Sequence, residues 1–598
     1  MILFTIKQFV PINRFRTFIS STTSFLIKKM STTINSTKSP IPFAQTSPTS
    51  DESFASIHHD ALSSSCSSIS SNTSTISNDS SCTSLSEREM ALHIMLYNSI
   101  EIISKRFSQT KIYCKFSGFA MDSIDETFDT AQDDDFNHHD GIDQYPFDVA
   151  AMNDLEYKFQ NQNLFGRSMQ TNEFIIVRCK IPLSGNIGIR VDLFQKMETN
   201  NNNDSNDIGH DVSFNKIAFG YIYPVNASES SGIFTVPITS KMGKIIAHFK
   251  AEYFITKPYN GMAMEPIKWK SKTRNIKSWQ LKKNGYDIGH RGAGCARRID
   301  SCEKVLENTI DSFNFAFKKG ADMVELDVQL TKDKIPIVYH DFNVNIVLQQ
   351  KDHMPENFQM NIKDLTYEQL QKLKLRPLQR HGKECYDFDG DDVDSPHGLP
   401  FASLQTVLKS VEANCGFNVE IKYPQKKING DWEAEKSHDL NEYVDLILQD
   451  LFLYADDRKI IISSFHPEIC SMVKLKQDRY PVLFLTQGLS TKWMKYHNPL
   501  NHSIEMAAYL ALCMDLYGVA VHAEDIIKNS TLIRFVKSKS LVLFCWGDDL
   551  NDRELIKNLK KEGIDGAIYD KIDLLIAKPE SHENPNCEVS PPISLNFN

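Results

Sequence analysis

Three short stretches carry ionisable residues at spacings that can do chemistry. YDIGHRGAG ends an apolar run on His290 and Arg291, VELDVQLTKDKIPIVYHD sets Glu325 and Asp327 two apart with His340 beyond a short turn, and FNVEIKYP offers Glu420 and Lys422. Residues two apart in a strand share a face, so each stretch aims its charged groups in one direction. Three carboxylates that face one another raise one another's pKa unless a cation lies between them. One hard divalent ion, Mg²⁺ or Ca²⁺, suits an all-oxygen donor set, and the lack of cysteine nearby disfavours a soft metal. Arg291 presents a planar fork to an anionic phosphate oxygen and Lys422 a point charge beside it. Two imidazoles with an ordinary pKa near 6.5 suit general acid and base work.

Each residue also has a plainer reading. A lone His at a strand end is more often structural, a lone Glu-x-Asp is usually a solvated strand face, and Glu420 with Lys422 could be an ion pair of small worth. Together, at the ends of apolar strands where burial without function is costly, they point to a phosphate site.

The elements that must position them follow from residue 286 onward. Short apolar runs (IGHRG, VELDVQL, FNVEIKYP, KIIISSF, VLFLTQ, YGVAVH, LVLFCW, DGAIYD) alternate with helical patterns such as NTIDSFNFAFKKG and LNEYVDLILQDLF. That alternation implies a parallel sheet buried on both faces, and eight such strands close a (β/α)₈ barrel of the α/β class over 286–580. Catalytic groups in such a barrel come from the carboxyl ends of the strands. IPIVYHD is a ninth candidate. Only TKDK separates it from VQL, too few residues for a parallel crossover, so the two form an antiparallel hairpin, with His340 expected roughly opposite Asp327.

The 598-residue chain exceeds what a single hydrophobic core usually covers, so further domains are expected outside the barrel. Residues 91–270 contain β-branched and aromatic runs with a two-residue period, including NEFIIVRCKI, IGIRVDLFQ and KIAFGYIYPV, separated by polar loops such as DDDFNHHDGID and NNNNDSNDIGHD. They predict an all-β, sandwich-like domain with nothing catalytic visible in it. Residues 1–90 are rich in Ser and Thr and read as a disordered extension, and 581–598 as a tail. The first 30 residues combine Lys and Arg with Ser, Thr and apolar residues, which also fits a mitochondrial targeting segment.

A net charge of −10 spread along the chain argues against a nucleic-acid partner. Twelve scattered cysteines with no zinc spacing suggest reduced thiols in a cytoplasmic protein. No apolar run approaches the ~20 residues of a transmembrane helix.

HRG, then ENT (Glu307, Asn308, Thr309), VELDVQLTKD, VYHD and VEIK in this order resemble the glycerophosphodiester phosphodiesterase family, metal-dependent (β/α)₈ barrels. The likeness runs from about 286 to 572 and includes PFASLQTVL, CWGDD and GIDGAIYD. DIGHRGAG, YPVLFLTQG and VHAEDIIKN, with the preceding β-domain, are similar to the eukaryotic glycerophosphocholine phosphodiesterases. The resemblance implies hydrolysis of glycerophosphocholine to glycerol 3-phosphate and choline. Glu325, Asp327 and Glu420 would hold the metal, His290 and His340 would be the acid/base pair, and Arg291, Lys422 and Asn308 would contact the substrate. Phe465 and Trp546, at strand ends, are candidate aromatic faces for a quaternary ammonium. Two other functions fit the same chain: a lysophospholipase D on the same barrel, or a catalytically silent scaffold. Proteins of this kind usually begin with a starch-binding-type β-domain; its aromatic-rich strands are not recognisable in residues 1–90, so glycan binding is not expected.

Overall fold

In the computed structural model the structure describes residues 3–6, 88–121, 144–197, 213–223, 225, 228–261, 281–294, 305–348, 356–376, 379–380, 383–384 and 398–576. The two acidic and Asn-rich loops named above, the tail 581–598 and nearly all of residues 1–87 lie outside them.

Eight parallel strands close on themselves in chain order: β1 Tyr286–Gly289, β2 Met323–Leu330, β3 Gly416–Ile421, β4 Ile460–Ser464, β5 Val482–Thr486, β6 Gly518–His522, β7 Val542–Trp546 and β8 Gly566–Tyr569, with β1 pairing both β2 and β8. This is the expected barrel. Alternation divides each strand. Ile288, Met323, Ile461, Leu483, Ala520, Phe544 and Ile568 pack inside the barrel, while Val324, Phe417, Ile462, Phe484 and Val519 face the surrounding helices. Continuing the inward parity in steps of two toward the carboxyl ends reaches the rim at His290, Asp327, Lys422, Phe465, His522, Trp546 and Asp570.

The returning strand Pro336–Val338 pairs antiparallel with β2, as the four-residue connection requires. Its register differs by one residue from the expectation. Val328 stands opposite Val338, and the Tyr339 N–H donates to the Asp327 carbonyl at 3.0 Å, so Tyr339 and not His340 lies across from Asp327. The turn sets this: Lys334 takes a left-handed φ of 63°, and the Thr331 N–H donates to the Ile335 carbonyl.

The preceding β-domain is one antiparallel sheet of eleven strands that curls around a single apolar core. An isolated bridge between Gly118 and Tyr145 joins its two ends, and Phe116 meets Phe249 across the interior with ring centroids 5.7 Å apart. The strand Glu89–Tyr97 was not apparent from alternation. It is buried on both faces, Leu92 and Ile94 in the domain's own core and Met95 in a cluster shared with the barrel helices, so it reads as a continuous apolar run. That shared cluster also holds Ala150, Met152, Phe174, Ile176 and Phe254. Hydrogen bonds reinforce it: the Asn441 amide donates to Ser230 Oγ and to the Ile255 carbonyl, both at 2.7 Å.

Residues 3–6, expected to be unstructured, form a strand between Asn343–Leu348, to which it is parallel, and Lys374–Arg376, to which it is antiparallel. No helix among the described residues is long and apolar enough to cross a membrane.

Candidate active site

The carboxyl ends of β1, β2, β3 and β8 gather the ionisable residues. β2 and β3 pair in parallel with Asp327 beside Glu420 and Glu325 beside Asn418, so period-two alternation turns all of them into the barrel. Glu325, Asp327 and Glu420 each bring a carboxylate oxygen to within 4.8 Å of the other two. Glu325 and Asp327 are buried, and Glu325 Oε1 is buried without a hydrogen-bond partner. An orphaned carboxylate oxygen amid three converging carboxylates is a donor set that fits one hard divalent cation.

The backbone of HRG is shaped for this place. Arg291 sits at a left-handed φ of 50°, which lets its N–H donate to Glu325 Oε2 at 2.8 Å while its guanidinium donates to Glu307 Oε1 at 2.9 Å. Gly292, at φ 90°, lies so close to the helix Ile310–Lys318 that a Cβ would stand 2.4 Å from Ser312 Oγ. That helix begins at the ENT sequence: Thr309 caps it by accepting the Ser312 N–H, and Asn308, also left-handed at φ 56°, precedes the cap. The Asn308 amide donates to Asp327 Oδ2 at 2.9 Å and accepts the Asp327 N–H at 3.3 Å. Its side chain is therefore bound to the carboxylate cluster and orients Asp327. Two non-glycine residues at positive φ beside the same carboxylates mark strain concentrated at a functional site.

The imidazoles lie on either side. His290 Nδ1 is 2.7 Å from Asp570 Oδ1, and its Nε2 is 4.0 Å from Glu325 Oε2. His340 Nδ1 is 2.7 Å from Asp341 Oδ1. Each ring thus has one nitrogen tied to a carboxylate, leaving Nε2 for proton transfer. Lys422 Nζ lies 3.3 Å from Glu420 and 3.7 Å from Asp327.

Electrostatics separates these groups. Burial, then Asp327, lifts Glu325 to about 8 despite His290. Burial would lift Asp327 too, but His340, Lys422 and Arg291 hold it down at about 2. Burial pushes Glu420 up, Lys422 opposing. Burial disfavours charge on both histidines. In His290 the carboxylates of Asp570 and Glu325 together outweigh it and carry the pKa to about 9, whereas in His340 the cations Arg291 and Lys422 add to it and keep the pKa well below the usual value.

Across the rim from the carboxylates stands an aromatic group. Phe465 and Trp546 meet edge to face at 5.4 Å, Phe465 also contacts Tyr496 at 6.1 Å, and Trp546 packs on His522 at 4.7 Å and on Trp493 at 5.4 Å. All ten residues singled out from the sequence therefore border one barrel mouth. Sequence reasoning missed Asp570, the β8 end that orients His290; the inward parity of GAIYD would have found it. It also missed Tyr496 and Trp493, which arrive on a loop without periodic signal. Asn418 and Ser463, inward-facing and buried with no hydrogen-bond partner, lie one strand over from Glu325 and Glu420.

Residues 290–574 match the model of the glycerophosphoryl diester phosphodiesterase family. A glycerophosphocholine phosphodiesterase of Homo sapiens is 38% identical over 355 residues, 58% of this chain and 52% of that protein. One from Schizosaccharomyces pombe is 33% identical over 321 residues, 48% of this chain and 27% of its own. A glycerophosphodiester phosphodiesterase of Arabidopsis thaliana is 31% identical over 308 residues, 48% of this chain and 76% of its own. The chain spans about half the length of the human protein.

Proposed function

Since the chain belongs to the glycerophosphoryl diester phosphodiesterase family, we propose that it hydrolyses a glycerophosphodiester, glycerophosphocholine foremost, to glycerol 3-phosphate and choline. The observation that carries this reading is the convergence of Glu325, Asp327 and Glu420 within 4.8 Å, flanked by His290, His340, Arg291 and Lys422.

Glu325, Asp327 and Glu420 would hold Mg²⁺ or Ca²⁺, which when bound polarises a phosphoryl oxygen. Arg291 and Lys422 balance the anionic diester, and Glu307 and Asn308 fix the directions of Arg291 and Asp327. One imidazole accepts the proton of the hydroxyl that attacks phosphorus. The other donates a proton to the oxygen of the departing choline. If the attacking hydroxyl is the substrate's own glycerol OH, the product is a cyclic glycerophosphate, and water opens it with the two proton transfers reversed. The net balance is the same by either route: the P–O bond to choline breaks, a P–O bond to the water oxygen forms, and one water is consumed.

Phe465 and Trp546 would meet the quaternary ammonium on their ring faces. Cys114, Cys415, Cys470 and Cys545 are buried free thiols, which suit a reducing compartment, so the cytoplasm is the proposed setting. The test is choline release from glycerophosphocholine by the full chain with and without a chelator. Turnover that survives full chelation overturns the metal-assisted reading, and release only from a lysophospholipid would assign the barrel to lysophospholipase D chemistry.

A further inference from the structure

Two loops rise over the barrel mouth and pair with each other. The first follows β3, the second follows β5. Lys427 and Tyr496 form an antiparallel bridge, the Ile428 N–H donates to the Lys495 carbonyl at 3.0 Å, and the His497 N–H donates to the Lys426 carbonyl at 2.7 Å. The Tyr496 hydroxyl donates to Glu433 of the first loop at 3.0 Å, and an isolated bridge between Lys426 and Trp432 folds that loop back on itself. The pair is an ordered ledge, and its inward side is Tyr496, packed on Phe465.

Its outward side is apolar. Ile428 is 54% exposed, Trp432 43%, Leu489 60% and Met494 48%, and Trp493, one side of which packs on Trp546 and His522 at the rim, keeps 43% exposed. Trp432 and Trp493 are the two tryptophans that stand exposed among the described residues. Single exposed apolar residues need no explanation, but five within one pair of bonded loops are a concentration that does.

Lysines are interleaved with it. The stretch QGLSTKWMKYHNP, 487–499, contains Lys492 and Lys495 and no acidic residue, in a chain whose net charge is −10. Lys426 is exposed on the first loop, and Lys436 lies over the Trp432 ring at 5.3 Å. The acidic residues of the first loop each have a partner, with Asp431 and Glu435 staying exposed. Asp431 accepts from Asn429, Glu433 from Tyr496 and from the Gln425 N–H, and Glu435 pairs with Lys363. On the second loop Lys492 reaches Asp549 at 3.3 Å.

We propose that this ledge docks the barrel mouth on an anionic lipid bilayer surface. Indole rings, apolar with one polar N–H, belong at the boundary between headgroups and acyl chains. Lysines beside them are drawn to anionic headgroups such as those of a cytoplasmic leaflet. The cores of protein–protein interfaces are depleted in lysine, so a polypeptide partner fits this mixture less well. Binding would hold whichever diester the pocket cleaves.

The experiment is flotation of the full chain with vesicles of phosphatidylcholine alone or with about three-tenths phosphatidylserine. Wild type should float with the anionic vesicles, weakly with the neutral ones, and come off as salt rises. Lys426→Glu with Lys492→Glu should weaken binding at least about tenfold, since each lysine near such a surface is worth roughly a fivefold factor. Trp432→Ser with Leu489→Ser should weaken it comparably with an unchanged melting temperature. No flotation of wild type, or flotation indifferent to both double variants, overturns the proposal. Choline release does not enter the readout, so its failure and that of the proposed hydrolysis are separately visible.

Discussion

Asp570, just beyond the end of β8, holds Nδ1 of His290, just beyond the end of β1, at 2.7 Å, and the two strands are neighbours in the closed barrel. Asn551 fixes the backbone that carries Asp570, its side-chain oxygen accepting the backbone N–H groups of Asp570 and Lys571. The pair sets which imidazole nitrogen faces the pocket. Asp570→Ala should therefore lower kcat by about 10- to 100-fold with KM little changed, the usual size of such supporting contacts. Asp570→Asn, which can accept the same hydrogen bond, should recover part of it. A loss confined to KM would contradict the orienting role.

Replacing either His290 or His340 with Ala should reduce kcat by about 10²- to 10⁴-fold. Glycerol 3-phosphate binding, followed by calorimetry, should persist, because the cationic groups Arg291 and Lys422 remain. A variant within threefold of wild type would remove that histidine from the proton-transfer pair.

Without a cation among the carboxylates, Glu325 is raised from 4.5 to about 8. A raised carboxyl pKa means that the fold favours the protonated form. That contribution to stability is fully present below the unfolded value and is lost as pH rises through about 8. The cation-free protein should thus be less stable at pH 8.5 than at pH 6, and Mg²⁺ or Ca²⁺ should raise its melting temperature more at the higher pH. Glu325→Gln should abolish turnover while making the cation-free protein more heat-stable at pH 8.5. Identical thermal shifts at both pH values would count against a cation at this cluster.

Trp546→Ala should slow hydrolysis of the choline diester more than that of the ethanolamine diester, since a desolvated quaternary ammonium on an indole face can be worth about 2 kcal/mol. Comparing kcat/KM for both substrates decides it; equal losses would assign Trp546 to packing at the rim.

Much of this was legible in residues alone because the barrel obeys local rules. Period-two alternation placed Glu325 with Asp327 and Glu420 with Lys422, and a four-residue connection forced the hairpin. What stayed hidden depended on backbone detail or distant contacts. The left-handed φ of Lys334 moved His340 one residue from its expected place opposite Asp327. The bond from the Asn308 amide to Asp327 was not legible in its motif. The strand Glu89–Tyr97 lost its alternation by being buried on two sides. The loop holding Trp493 and Tyr496 acquires its place only by pairing with residues 426–428, which no local pattern announces.

The cluster that runs from Met95, Phe174 and Phe254 into the barrel helices makes the two lobes poor candidates for separate lives. A gene truncated near residue 270 would yield a barrel wearing a greasy scar where its neighbour used to sit, prone to clump before any assay began. Shuffling by recombination, or trimming for crystallisation, should succeed only where the cut spares that seam.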